Sequence, residues 1–132
     1  MEENIQYLRK LGLTEYQSRA MAVLFYVEEA TAKEISGIAA IPPTKVYSVL
    51  ESLEGKGFID HLPGKPRIFR GIPAGHVFDR LIRLQEKRVK AFKYEKGIQI
   101  EIVRKLLEEK ERYLYPDEGD ELAKEYSEQL GW

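Results

Sequence analysis

The residues best placed for chemistry are hydroxyls and cations in two short stretches. Thr44, Lys45, Tyr47, Ser48 and Ser52 follow the dipeptide Pro42-Pro43, and Lys65, Arg67 and Arg70 lie in or beside Pro63-Gly64-Lys65-Pro66. Hydroxyl, phenol and ammonium groups hydrogen-bond to base edges and phosphate oxygens, and guanidinium groups pair with phosphate. Other chemistries lack their parts. The chain has no cysteine, which removes disulfides, thiolate metal sites and cysteine nucleophiles. His61 and His76 are its two histidines, and neither has a second ligand at metal-binding spacing. Gly55-Lys56-Gly57 lacks the spacing of a phosphate loop, and Asp60 beside His61 reads as a strand end. No residue constellation marks an enzyme, and no cofactor is implied.

Those residues need elements to hold them. A chain of 132 residues, 43% hydrophobic and 33% charged, is long and apolar enough for one domain with a short additional element. Asn4 to Leu11 reads as a short helix with Ile5, Leu8 and Leu11 on one face and Gly12 as its terminator. Thr14 and Gln17 have the spacing of a capping box, so a second helix starts there and turns Ala20, Val23, Leu24 and Val27 inward. Thr31 and Glu34 repeat that signal, with Ile35 and Ile38 expected to face the core. This third helix must end near Ala39, because Pro42-Pro43 cannot continue it. Pro43 suits the first position of a fourth helix over about 43–54, whose stripe is Val46, Val49, Leu50 and Leu53. Thr44, Lys45, Ser48, Glu51 and Ser52 are left outward. Gly55 and Gly57 end the helix. Phe58 to Leu62 and Arg67 to Ile72 read as a hairpin, with a stiff cationic tip over 62–68. Arg70 points to either face, depending on register.

From Gly75 the pattern is helical for about forty residues. Phe78, Ile82, Val89, Phe92, Ile100, Val103 and Leu107 fall on one stripe. A helix of that length outgrows so small a domain, so its apolar face needs a partner. A second copy of the same helix is the simplest one. Gly97 leaves open whether the helix runs unbroken. Pro116 to Gly119 breaks the chain, and Leu122, Tyr126 and Leu130 suggest a short final helix. The expected division is therefore 1–73, a long dimerisation helix over 74–115, and an acidic segment over 116–132.

Charge is uneven along the chain. Residues 1–72 are neutral, residues 73–115 carry net +4, and residues 116–132 carry net −5, within a total of −1. An acidic tail thus masks a basic middle. Arg80, Arg83, Lys87, Arg88, Lys90, Lys93 and Lys96 line the first half of the long helix, chiefly as a solvated face. The longest uninterrupted apolar run, Ala20 to Val27, is far below the ~20 residues that span a bilayer. Met1-Glu2-Glu3-Asn4 has none of the character of a secretory leader. The expectation is a cytoplasmic protein that does not enter membranes.

Two helices joined by a tight turn and followed by a basic hairpin make a winged helix-turn-helix pattern. The fold class is thus mainly α with a small β-hairpin wing, extended by the long C-terminal helix. Three groups of residues narrow this further: Leu11-Gly12-Leu13-Thr14-Glu15-Tyr16-Gln17; Ala30-Thr31-Ala32-Lys33-Glu34-Ile35; and Lys45-Val46-Tyr47 continuing to Glu54-Gly55-Lys56-Gly57-Phe58-Ile59. Together they resemble the N-terminal domain of the TrmB-type archaeal transcriptional regulators over about residues 8 to 74. Ala40 stands where that family usually has glycine, and Pro43 where it often has a basic residue. Only 60 residues follow position 72, too few for the large sugar-binding domain of many members. The resemblance implies a dimeric, sequence-specific regulator of double-stranded DNA. Residues 43–54 would enter the major groove and the wing would lie on the backbone or minor groove. It also favours a partly buried Tyr47 ring with its hydroxyl toward the DNA backbone. Two other readings stay open: a winged helix used for protein–protein contact, suggested by the neutral first 72 residues, and a nonspecific chromatin-type DNA-binding protein. An effector, its identity unknown, has aromatic surface available in Tyr94, Tyr113, Tyr115 and Tyr126.

Overall fold

Two threonines open helices through reciprocal hydrogen bonds. Thr14 Oγ1 accepts from the Gln17 amide at 3.2 Å while Gln17 Oε1 accepts from the Thr14 amide at 2.9 Å. Thr31 and Glu34 make the same exchange at 3.2 and 3.0 Å. Each box satisfies two donors that a helix start leaves unpaired. The helices they begin are α2 (Glu15–Val27) and α3 (Ala32–Ala39), preceded by α1 (Glu2–Lys10). The computed structural model describes residues 1–115 and 128–130.

Helix ends follow from backbone geometry as directly. Gly12 takes φ +109° after α1, so the Leu13 amide reaches back to the Leu8 carbonyl at 3.1 Å. Gly57, at φ +78°, does the same after α4 (Pro43–Gly55), with the Phe58 amide on the Leu53 carbonyl at 3.0 Å. Both are left-handed C-terminal caps, which glycine adopts without steric cost.

The hairpin forms as β2 (Ile59–Leu62) and β3 (Ile68–Gly71), with Asp60 opposite Arg70 and His61 opposite Phe69. A third strand was not expected. β1 (Glu29–Thr31) pairs antiparallel with β3, placing Ala30 opposite Phe69, and the sheet order is β1-β3-β2. Three residues, Glu-Ala-Thr, carry no alternation to read, and only the presence of β3 makes them a strand.

The chain divides into two compact units, Met1–Glu86 and Lys87–Trp132. In the first, α2 is buried along most of its length, and Ile35, Val46, Leu50, Leu53, Phe58, Ile59 and Phe69 close around it. Ile38 lies 49% exposed rather than inward. The buried face of α3 is built from Ala32, Ile35, Ser36 and Ala39, and Ile38 falls off its edge. α5 (Ala74–Glu108) contributes Val77 and Leu81 to the same core. The division therefore falls inside α5 rather than at its start. Phe78, expected at a dimer interface, is half-buried here, edge-on to Tyr7 at 5.0 Å and to Phe25 at 5.7 Å. Its ring is committed within this unit. Gln85, between Ile82 and Val89 on α5, donates to the Leu11 carbonyl at 2.8 Å.

The second unit holds the rest of α5, which continues through Gly97 without a break, and α6 (Lys110–Leu114). The interruption comes at Glu109. Val89, Phe92, Ile100, Val103 and Leu107 are all exposed. Val103, Leu106, Leu107, Tyr113, Leu114 and Leu130 line an apolar groove of about 530 Å³. No helix among the described residues is long and apolar enough to cross a membrane. The expected chain break at 116–119 and the final helix around Leu122 and Tyr126 lie outside the described residues.

Candidate nucleic-acid interface

The turn between α3 and α4 is held by its own backbone and by one buried hydroxyl. The Ile41 amide bonds to the Ser36 carbonyl at 3.0 Å, and Ser36 Oγ donates to the Ile41 carbonyl at 2.6 Å. Ala40 bridges them in the left-handed region at φ 54°, ψ 44°. α4 then starts at Pro43 with no side-chain cap. Gln17 fixes its C-terminal part from behind: the Gln17 Nε2 donates to Ser52 Oγ at 2.7 Å. Gln17 is buried, so one side chain serves both the start of α2 and the seating of α4.

That bond changes the reading of Ser52. It is half-buried with its hydroxyl engaged by Gln17, not outward. Thr44, Lys45, Tyr47, Ser48 and Glu51 form the open face of α4. Ser48 Oγ donates to the Lys45 carbonyl at 2.9 Å, which leaves its lone pairs facing solvent. The Lys45 ammonium lies 5.7 Å from the centroid of the Tyr16 ring, which Arg19 also approaches at 5.8 Å. Ring quadrupoles attract such cations, so Tyr16 gathers two positive charges beside the start of α4. Arg19 also donates to Glu15 and, at 3.4 Å, to the Ala40 carbonyl. Tyr47 is 57% exposed, against the partly buried ring expected of it.

The wing presents Lys65 and Arg67, both exposed. Between the wing, the start of α3 and the middle of α4 runs a groove of about 680 Å³, lined by Lys33, Tyr47, Glu51, Lys65 and Arg67 among others. Three cations and one carboxylate edge it. A cationic channel next to an open helix face suits a phosphate backbone, which rewards charge and tolerates exposure. Lys33 was missed in the sequence. It occupies the first turn of α3, and β1 pairing with β3 is what brings α3 beside the wing. Without that strand nothing in the sequence places Lys33 near Lys65.

Arg70 is spent elsewhere. Its Nε and Nη2 reach Asp60 Oδ1 and Oδ2 at 3.1 and 2.9 Å across β2 and β3. The paired hydrogen bonds from Arg70 hold the Asp60 carboxyl below its ordinary range, and the same bonds raise the Arg70 guanidinium. Arg80, one of the basic residues of the long helix, donates to the Gly57 carbonyl at 2.8 Å. It thereby covers the C-terminal turn of α4. His61 Nδ1 lies 2.5 Å from Glu54 Oε1 and ties α4 to the wing.

Comparison with known proteins covers the same region. Residues 8–75 match the family described as sugar-specific transcriptional regulator TrmB. The HTH-type sugar sensing transcriptional regulator TrmBL1 of Pyrococcus furiosus is 36% identical over 80 residues, which is 61% of this chain and 24% of that protein. The DNA-binding HTH-type transcriptional repressor TrmBL2 of Thermococcus kodakarensis is 32% identical over 112 residues, 82% of this chain and 42% of that one. A solved structure of TrmBL2, described as an archaeal chromatin protein with a novel mode of DNA binding, superimposes with a TM-score of 0.69 at 27% identity. It covers 80% of this chain and 41% of that chain. The chain thus spans less than half the length of these relatives.

Proposed function

The chain belongs to the TrmB family of transcriptional regulators, and on that premise we propose that it is a DNA-binding transcriptional regulator acting as a homodimer. The observation that carries this reading is the cationic groove of Lys33, Lys65 and Arg67 beside the open face of α4. α4 enters the major groove with Thr44, Lys45 and Ser48 toward the bases and nearby phosphates. The wing lies on the flanking backbone, with Lys65 and Arg67 on phosphates and Lys33 completing the track. Arg70 and Ser52 act from inside, the first by pairing β2 to β3 and the second by seating α4. Val89, Phe92, Val103 and their neighbours on α5 join the two copies. Regulators named TrmBL1 and TrmBL2 are relatives of the matched region, which supports a DNA partner.

The test is fluorescence anisotropy with a duplex from the gene's own upstream region and a scrambled duplex as competitor, at two salt concentrations. Each lost phosphate contact flattens the dependence of log K on log salt by about 0.9. Lys65→Ala/Arg67→Ala should therefore lower affinity and flatten the slope by about 2. Equal affinity for both duplexes would favour the second reading, a chromatin-type protein, which the solved relative so described makes specific. No binding at low salt would overturn both and leave protein contact as the winged helix's task.

A further inference from the structure

Pairing through α5 leaves open the direction in which two copies run, and the order of residues along the helix resolves it. At seven-residue spacing, Val89, Lys96 and Val103 form one row of α5, and Phe92, Gln99 and Leu106 form the adjacent row three residues on. Two such rows are the seam by which one helix packs on another. Its apolar members stand open, with Phe92 63% and Val103 53% exposed. Lys96 and Gln99 lie at its centre.

A parallel, in-register pair sets every seam residue against its own copy. Lys96 would face Lys96 across the axis, and Arg88 would flank Lys93 of the other helix. Both contacts join like charges on partly desolvated ground, which costs energy on every pair. Reversing one helix about a point between Gly97 and Ile98 removes both faults. Val89 then faces Leu106 of the second copy, Phe92 faces Val103, and Lys96 faces Gln99, whose amide oxygen accepts from an ammonium. A slip of one heptad either way sets Lys96 against Phe92 or Leu106, and Gln99 against Val89 or Val103. Polar groups would then be buried on apolar ones without partners. A single antiparallel register matches every seam residue to its kind.

From this complementarity we infer that a second copy of this chain packs antiparallel on α5, with the two-fold axis between Gly97 and Ile98. The inference rests on the proposed dimerisation through α5, and the experiment separates the two. The chain has no cysteine, so introduced thiols report unambiguously. Val89→Cys and Leu106→Cys are made singly, then refolded together, and oxidised. In the antiparallel pair, like positions 89 lie about 25 Å apart along the axis, whereas position 89 of one copy meets position 106 of the other within disulfide reach. Each single variant should stay monomeric on a non-reducing gel, and the mixture should yield covalent dimer. Phe92→Cys with Val103→Cys gives the same pattern as an independent pair. Val89→Cys cross-linking to itself overturns the inference in favour of parallel helices. A dimer by sedimentation in which no mixture cross-links overturns the seam while leaving dimerisation standing. A wild-type monomer at micromolar concentration overturns the dimer reading and the seam together.

Discussion

Replacing Ala40 by glycine should stabilise the first unit, against the usual trend for glycine substitutions. Ala40 sits at φ 54°, ψ 44° in the turn that delivers α4. An L-residue with a Cβ pays roughly 1–2 kcal/mol in that conformation, and glycine does not. Glycine also gains freedom in the unfolded chain, which takes back about 0.4–1 kcal/mol. Ala40 is exposed, so loss of its methyl removes no core packing, and its carbonyl keeps the Arg19 contact. The balance favours Ala40→Gly by about 0.5–1 kcal/mol. For a unit of this size that raises the melting temperature by about 3–6 °C. It also moves the urea midpoint upward by about 0.5 M at unchanged slope. Urea and thermal unfolding followed by circular dichroism measure both. An unchanged or lower midpoint would refute the reasoning: either the turn gains nothing from a left-handed glycine, or Ala40 carries a contact that the structure does not assign to it.

Three further outcomes follow from particular contacts. Ser18 is fully buried and its Oγ has no hydrogen-bond partner, so Ser18→Ala should raise stability by about 1 kcal/mol by removing a desolvated hydroxyl; chemical denaturation measures it. A Cβ on Gly97 would meet nothing within 4 Å, so Gly97→Ala should stabilise α5 by about 1 kcal/mol and leave the oligomer mass unchanged by sedimentation. Acid should destabilise the fold through Glu34 and Asp60. The Thr31 backbone and side-chain bonds lower the Glu34 pKa from 4.5, and Arg70 lowers that of Asp60 from 3.8. The folded state therefore binds fewer protons at these sites than the unfolded chain does. Their stabilisation is complete above the unfolded values and declines as pH falls through the lowered folded ones. Glu34→Gln/Asp60→Asn should flatten the stability profile below about pH 4.5, read as unfolding midpoints across an acid series.

Much of the scaffold was legible because its causes are local. Both capping boxes join residues three apart, and Gly12 and Gly57 end helices through their own backbone freedom. The stripe of α4 needs only the helical period to predict which four residues turn inward, and Val46, Val49, Leu50 and Leu53 are the ones buried. The candidate interface was legible in part for the same reason. Lys65 and Arg67 stand on a hairpin tip that proline and glycine define, and Thr44, Lys45 and Ser48 follow from the phase of one helix. Phe78 and Ser52 were misread because a stripe shows which side a residue faces, not which neighbour is already there.

By itself, the sequence determined where α2, α3, α4 and the hairpin lie, and which family of winged helices they assemble into. Those features arise from side chains and backbone within one or two turns of each other, and a linear pattern contains them. Tertiary structure alone decided which polar groups remain available at the surface. Gln17 claims Ser52 from 35 residues away. Asp60 claims Arg70 across a strand pair. A three-residue strand carries Lys33 to the wing. Each of these outcomes depends on a partner that folding brings close, and proximity between distant segments is the quantity that a sequence read residue by residue does not hold.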